Sequence, residues 1–143
     1  DIMGFAELLA ANIEAAFFGG GAGEEAGGYA ERIRRFIDRE FRHGLYVSDV
    51  ARLLGLTESR IVQIFREQFK KSFVDVLTER RMEHARHLLK ESFLKIGTVA
   101  AECGYGDTAY FHRVFKSSNR GMTPAAYRKK VQSSSMPLTG AGP

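Results

Sequence analysis

Two groups of side chains, about fifty residues apart, carry the polar chemistry of this 143-residue sequence. Most of them are hydroxyl, amide or cationic groups, spaced so that each group would line one face of a helix. Such faces can form hydrogen bonds and neutralise anions. The first group is Ser59, Arg60, Val62, Gln63 and Arg66, and the second is Thr108, Ala109, His112, Arg113 and Lys116.

We find no arrangement of residues that would support covalent catalysis, and we predict neither an enzyme nor a bound cofactor. Paired carboxylates, a nucleophile beside a base and a phosphate-cradling loop are all missing from the sequence. His84 and His87 lack a third metal ligand of suitable type, so we predict no metal site. Cys103 falls on an apolar position and is expected to be buried. A DNA-modifying enzyme using Cys103 is the remaining enzymatic alternative, and alkylation of its thiol would test it.

The elements that position the two groups repeat within the chain. With an offset of 49 residues, Val50, Ala51 and Gly55 coincide with Val99, Ala100 and Gly104. After the glycine the offset is 50, and Phe65 coincides with Phe115. Two copies of one small unit explain this match.

Each copy has the pattern of a short helix, a turn with glycine and a second helix. Two helices too short to be stable alone must pack at a steep angle, and a small residue at the corner permits it. The outer face of the second helix is then free to enter a groove. A plain helical corner in a bundle is the alternative for one copy, and the repeat argues against it.

Composition favours an all-α protein with a polyanionic partner. Proline is scarce, and strand-like alternation of β-branched residues is missing. All 21 Lys and Arg lie between Tyr29 and Val131, where 12 acids leave a net charge of +9, whereas residues 1–28 carry five acids and no base. Dense positive charge suits phosphate groups. No stretch has the length and apolar character of a membrane span, so we expect no membrane association.

We predict three regions along the chain. Residues 1–28 contain an amphipathic helix and a flexible Gly-rich linker, which we assign to an upstream sensing or dimerising domain, with a frayed tail as the alternative. Residues 29–131 form the folded domain, and residues 132–143 a disordered tail. An uninterrupted helix from Phe73 to Lys90 links the two repeats at a fixed separation. The predicted helix N-caps are Ser48, Thr57, Ser72, Asp107 and Thr123.

The region from Tyr29 to Val131 resembles the C-terminal domain of AraC/XylS-type transcription regulators. The residues that carry the resemblance are Arg81-Met82, Ala85, Leu88-Leu89, Ile96, Val99-Ala100, Gly104-Tyr105, Asp107, Tyr110-Phe111, Arg113, Phe115-Lys116, Gly121-Met122-Thr123-Pro124 and Tyr127-Arg128. The resemblance implies about seven helices, in two helix-turn-helix subdomains joined by a long helix. It also implies that the base-facing residues are Ser59, Val62 and Gln63 in the first reading helix and Thr108, Ala109, His112 and Arg113 in the second.

The residue types suggest a division of roles at those positions. Arg113 could bond guanine and Gln63 adenine in bidentate fashion, while Val62 and Ala109 could pack on thymine methyl groups. We expect Arg60, Arg66, Lys70, Lys71 and Lys116 to neutralise phosphates. The chain departs from the family pattern in having Lys70 where glycine is usual, and one additional residue between Phe115 and Gly121.

The sequence therefore predicts a transcription regulator that binds a specific promoter sequence on double-stranded DNA. Its two reading helices would enter successive segments of the major groove. The alternative from another class is an interaction module that docks RNA polymerase or an anti-activator. We expect a cytoplasmic, nucleoid-associated protein and an effector or dimerisation domain upstream.

Overall fold

The computed structural model describes residues 25–135, which form seven helices and, within that range, no strand. The helices are α1 Glu25–Glu40, α2 Val47–Leu54, α3 Glu58–Ile64, α4 Phe73–Glu91, α5 Ile96–Glu102, α6 Thr108–Ser118 and α7 Pro124–Ser135. A π-helical turn, Phe65–Phe69, continues α3. The predicted all-α class and helix number are confirmed. The predicted helix before Gly19 and the chain beyond Ser135 lie outside the described residues.

The described chain divides into two compact units, the first up to Thr78 and the second from Glu79. The first unit packs α1, α2, α3 and the start of α4 around Phe36, Val50, Ile61 and Phe65. The second packs the rest of α4 with α5 and α6 around Met82, Val99, Phe111 and Phe115. Each unit thus has its own apolar core, and α4 contributes to both.

The two helix-turn-helix corners have the same backbone design. Gly55 and Gly104 both have positive φ, 67° and 96°, which glycine adopts without steric conflict. The residue after each glycine donates its N–H to the carbonyl of the fifth residue before it: Leu56 to Ala51 at 3.0 Å and Tyr105 to Ala100 at 2.9 Å. This six-to-one bond closes the helix end and turns the chain. The predicted repeat is therefore a repeat of structure.

Most of the predicted caps are present, and one is wrong. Thr57, Ser72, Asp107 and Thr123 each accept a hydrogen bond from a backbone N–H in the following turn, at 2.9–3.1 Å. Ser48 is not a cap, because α2 begins earlier, at Val47. There Asp49 closes the first turn instead by accepting the Tyr46 N–H at 2.8 Å.

Two predicted boundaries also need correction. Helix α1 begins at Glu25, so Gly27 and Gly28 are helical rather than part of a linker. Once Ile33 and Phe36 anchor the helix, each further residue adds a hydrogen bond without a new nucleation cost. Helix α7 continues to Ser135, so Gln132 does not belong to a disordered tail. Its amide donates to the carbonyls of Leu89 and Ser92, both at 3.1 Å, and so holds the end of α4.

Candidate nucleic-acid interface

Helix α3 presents one polar face to solvent because its opposite face is anchored in the first core. Ile61 and Ile64 are fully buried there. Residues three, four and seven positions apart lie on the same side of a helix. The face opposite the core therefore carries four of the predicted contact residues, all exposed: Ser59, Val62, Gln63 and Arg66. Arg60 is half-buried at the edge of this face.

The same face carries two carboxylates that the sequence analysis did not include. Glu58 on α3 and Glu67 on the π-helical turn that continues it flank the predicted contact residues. The Gln63 Nε2 donates to a Glu67 carboxylate oxygen at 3.0 Å. This bond fixes which way the amide points, with Oε1 left to accept. The four-residue spacing of Gln and Glu on one helix was the signal that could have revealed it.

Stacked aromatic rings hold the C-terminal end of α3. In the π turn, the Phe65 and Phe69 rings stack at 4.6 Å between centroids. The Arg34 guanidinium of α1 lies over the Phe69 ring at 5.0 Å. Lys70 then takes a left-handed conformation with φ 60°, as its place in the family pattern predicts. Lys70 and Lys71 are both exposed after this turn.

Helix α6 is the counterpart of α3 in the second unit. Asp107 caps it, and Phe111 and Phe115 are fully buried on its inner side. Thr108, Ala109, Arg113 and Lys116 are exposed, and His112 is half-buried. The His112 Nδ1 lies 3.0 Å from the Thr108 carbonyl. A carbonyl only accepts, so Nδ1 carries a proton and Nε2 is left for an external partner.

An aromatic pair supports Arg113. Its guanidinium carbon lies 5.5 Å from the centroid of the Tyr110 ring, which is half exposed, and Tyr110 leans on Tyr105 with 5.9 Å between their centroids. Tyr105 is buried, and burial raises the pKa of its hydroxyl, although the nearby Arg81 acts in the opposite direction. The hydroxyl is therefore neutral at physiological pH. Tyr110 was not among the predicted site residues.

The additional residue before Gly121 is accommodated in a turn that the Asn119 side chain holds. Arg120 and Gly121 both have positive φ. The Asn119 amide donates to the Phe115 carbonyl at 2.8 Å and accepts from Arg86 at 3.2 Å. Two side-chain hydrogen bonds thus hold this turn.

The other residues singled out in the sequence are His84, His87 and Cys103. The His84 and His87 rings lie 6.4 Å apart, and no cluster of three or more potential metal ligands occurs in residues 25–135. Cys103 is fully buried in the second core, as predicted. None of the helices described is long and apolar enough to cross a bilayer.

Two helix-turn-helix units, each with an exposed polar and cationic face on its second helix, define a DNA-binding protein. A family model described as a helix-turn-helix domain matches residues 50–130. The chain belongs to this family, the AraC-type transcription regulators. It is a DNA-binding domain of a transcription regulator.

Comparison with known proteins agrees with this assignment. The chain is 40% identical over 75 residues to the transcriptional activator RhaR of Yersinia pseudotuberculosis, covering 52% of the chain and 26% of RhaR. The C-terminal domain of AraT, a response regulator from Geobacillus stearothermophilus, is 30% identical with a TM-score of 0.69, covering 71% and 84% of the two chains. A DNA-binding transcriptional dual regulator from Escherichia coli K-12 is also 30% identical, with a TM-score of 0.64 and coverage of 71% and 96%.

The chain spans only part of the curated regulators that it matches. It covers 37% of the Msm operon regulatory protein of Streptococcus mutans, 36% of the regulator YijO of Escherichia coli and 26% of RhaR.

Proposed function

We propose that α3 and α6 recognise a specific promoter sequence by entering successive segments of the major groove. The observation that carries this proposal is the repeated corner: two glycine turns with the same hydrogen bond, each followed by a helix with a buried inner side and an exposed polar outer face. A helix held in this way can insert its outer face into the groove, where each base pair has its own donor and acceptor pattern.

The proposed roles differ between side chains. Ser59, Gln63, Thr108, His112 and Arg113 offer hydrogen bonds to base edges, and Val62 and Ala109 offer apolar contact to thymine methyls. Arg60, Arg66, Lys70, Lys71 and Lys116 neutralise phosphates and fix the register. With five such cations, a plot of the logarithm of the association constant against the logarithm of the salt concentration should have a slope of about −4.5.

Selection from a random DNA library tests sequence specificity directly. We expect two short conserved elements about 10 base pairs apart, centre to centre. Affinity for the selected site should then be measured at several salt concentrations, with a scrambled duplex as the control. Equal affinity for the selected and scrambled duplexes would contradict the proposal.

We further propose that this domain serves a longer regulator that acts in the cytoplasm and contacts RNA polymerase at the promoter. The proposal is supported by the relatives, which are transcription regulators about three times as long as the matched region. Reconstituted transcription from the selected promoter, with and without the chain, tests it. Unchanged transcript levels despite bound DNA would contradict a direct role with polymerase.

A further inference from the structure

An apolar groove of about 530 Å³ lies beside α3 in the first unit. Phe65 and Phe73 contribute to its lining, together with Val47, Val62 and Val74. Two of these valines are large apolar side chains left in solvent, Val62 at 46% and Val74 at 65% exposure. A cavity of this size and composition is typical of a binding site rather than of chance surface roughness.

The polar part of the lining is cationic. Arg66, Lys70 and Lys71 contribute to the groove, and among the described residues that line it none is acidic. Lys70 is placed there by its left-handed backbone, an unusual conformation for a lysine. An occupant that matches this groove has apolar side chains on one side and carboxylates nearby.

The leading segment of this same chain has those properties. Residues 1–18 carry three acids, Asp1, Glu7 and Glu14, and no base. Their large apolar residues recur at helical spacing, at Ile2, Phe5, Leu8, Leu9, Ile13 and Phe17. We propose that residues 1–18 dock their apolar side in the groove, with their carboxylates near Arg66, Lys70 and Lys71.

The connection to the first unit is long enough for this docking. Arg34 of α1 contacts Phe69, the residue before Lys70. It lies nine positions after Glu25 in the same helix, a distance of about 14 Å. Residues 19–24 could span about 20 Å when extended. The segment can therefore reach the groove without disturbing α1.

Docking would compete with DNA, because Val62, a proposed base contact, and Arg66, a proposed phosphate contact, both line the groove. This consequence depends on the proposed function, whereas the docking itself does not. If the segment occupied the groove about nine-tenths of the time, the apparent DNA affinity would fall about tenfold. The leading segment would then act as a built-in inhibitor of the first reading helix.

Docking can be measured without DNA by paramagnetic relaxation in the full 143-residue chain. At helical spacing, Ala11 falls opposite the apolar positions of the segment, so a nitroxide attached at Ala11→Cys would leave them free to dock. Cys103 is buried, and intact-mass measurement can verify that a single label is attached. We expect the methyl signals of Val62 and Val74 to broaden. Adding Phe5→Asp and Leu9→Asp should abolish the broadening of both signals. Val74→Gln in the groove should abolish that of Val62, the signal that this variant retains.

DNA affinity provides the second measurement. Phe5→Asp/Leu9→Asp and the uncharged Val74→Gln should each raise affinity for the selected site up to about tenfold, and the combined variant should gain no more. Ala11→Asp/Ala15→Asp is the matched control: it adds the same two charges on the other side of the segment and should leave affinity near that of the parent. Thermal unfolding verifies that the Val74→Gln variant, which changes an exposed residue, remains folded.

Unbroadened Val62 and Val74 signals would overturn the docking, whatever the DNA result. Broadening that grows with protein concentration would show binding to a second copy and would equally overturn it. Broadening with unchanged DNA affinity in the groove variant would overturn the inhibition alone. If neither parent nor variants bind any selected duplex, the proposed function fails while the relaxation data still decide on docking.

Discussion

At the scale of single residues, the proposed base contact on α6, Arg113, is better ordered in advance than the one on α3, Gln63. Arg113 is exposed but rests on the Tyr110 ring, so fewer of its rotamers are available before DNA arrives. A planar guanidinium that is already ordered loses less entropy when it bonds the two acceptors of guanine. Gln63 on α3 is also restrained, but by an acid that repels phosphates.

Replacing Arg113 by alanine should remove a preference for guanine at one position of the binding site. We expect a loss of about 1–3 kcal/mol for the preferred duplex and almost none for a duplex with that base pair changed. Titration of both duplexes at one salt concentration measures the difference. Lys129→Ala, an exposed cation on α7 outside the proposed contacts, is the control. An equal loss on both duplexes would assign Arg113 to phosphate.

Replacing Glu67 by alanine should raise total affinity while weakening discrimination at the base facing Gln63. The carboxylate repels phosphates, but it also holds the Gln63 amide in one orientation. A double-mutant cycle with Gln63→Ala measures the coupling, which we expect to be about 0.5 kcal/mol or more on the preferred duplex. Glu58→Ala removes the same charge from the same face without this bond. The same loss of discrimination in both variants would refute an orienting role.

At the scale of elements, the left-handed turn after α3 should be a point of stored strain. Lys70 has φ 60°, whereas Lys71 does not have a positive φ. Lys70→Gly removes the steric conflict of the Cβ atom with the left-handed backbone, which costs about 1 kcal/mol. The greater conformational entropy of glycine in the unfolded chain offsets part of this stabilisation. We expect the free energy of unfolding to rise by about 0.5 kcal/mol.

Lys71→Gly is the matched comparison, since it removes the same side chain where no strain is relieved, and it should lower stability by about 0.5–1 kcal/mol. Urea unfolding followed by circular dichroism measures both variants. Destabilisation by Lys70→Gly as large as that by Lys71→Gly would show that the left-handed turn stores no strain.

The last turn of α7 should stabilise the second unit. Gln132 donates to the Leu89 and Ser92 carbonyls at the end of α4, where α4 itself offers no further N–H group. Arg128 donates to the Leu89 carbonyl at 3.2 Å and to the Leu94 carbonyl at 2.7 Å. A chain ended after Val131 should therefore lose about 1–2 kcal/mol of stability relative to one ended after Ser135. Urea unfolding measures the difference, and Gln132→Ala in the longer chain should reproduce most of it. Equal stability of the two truncations would contradict this role.

Sequence patterns correctly predicted those helix ends that depend on bonds between residues close together in the chain. Thr57, Asp107 and Thr123 cap their helices by bonds within one turn, so the spacing of residues sufficed. The end of α7 could not be predicted in this way, because Gln132 is held by carbonyls about forty positions away. Without knowledge of those distant carbonyls, a run of serines is interpreted as a disordered tail.

At the scale of the whole molecule, the sequence could predict those parts of the candidate site that follow from helical periodicity. The exposed faces of α3 and α6 follow from which residues are buried, and the repeat identified both. The bond from Gln63 to Glu67 and the ring beneath Arg113 depend on side-chain rotamers, which periodicity does not specify. The groove beside α3 depends on contacts between several elements and left no single motif in the chain.

The spacing of the two half-sites provides the test for the whole molecule. Simultaneous binding of α3 and α6 in successive major-groove segments requires elements about one helical turn apart, since B-form DNA repeats every 10–10.5 base pairs. Inserting five base pairs between the selected elements rotates one of them to the opposite face of the duplex. We expect affinity to fall to that of a single element, because the second unit no longer adds its effective concentration. Inserting ten base pairs returns the second element to the original face of the duplex but leaves it one helical turn too far away. We therefore expect little of the lost affinity to be recovered. Affinity that is indifferent to both insertions would mean that the units bind independently and that α4 sets no register between them.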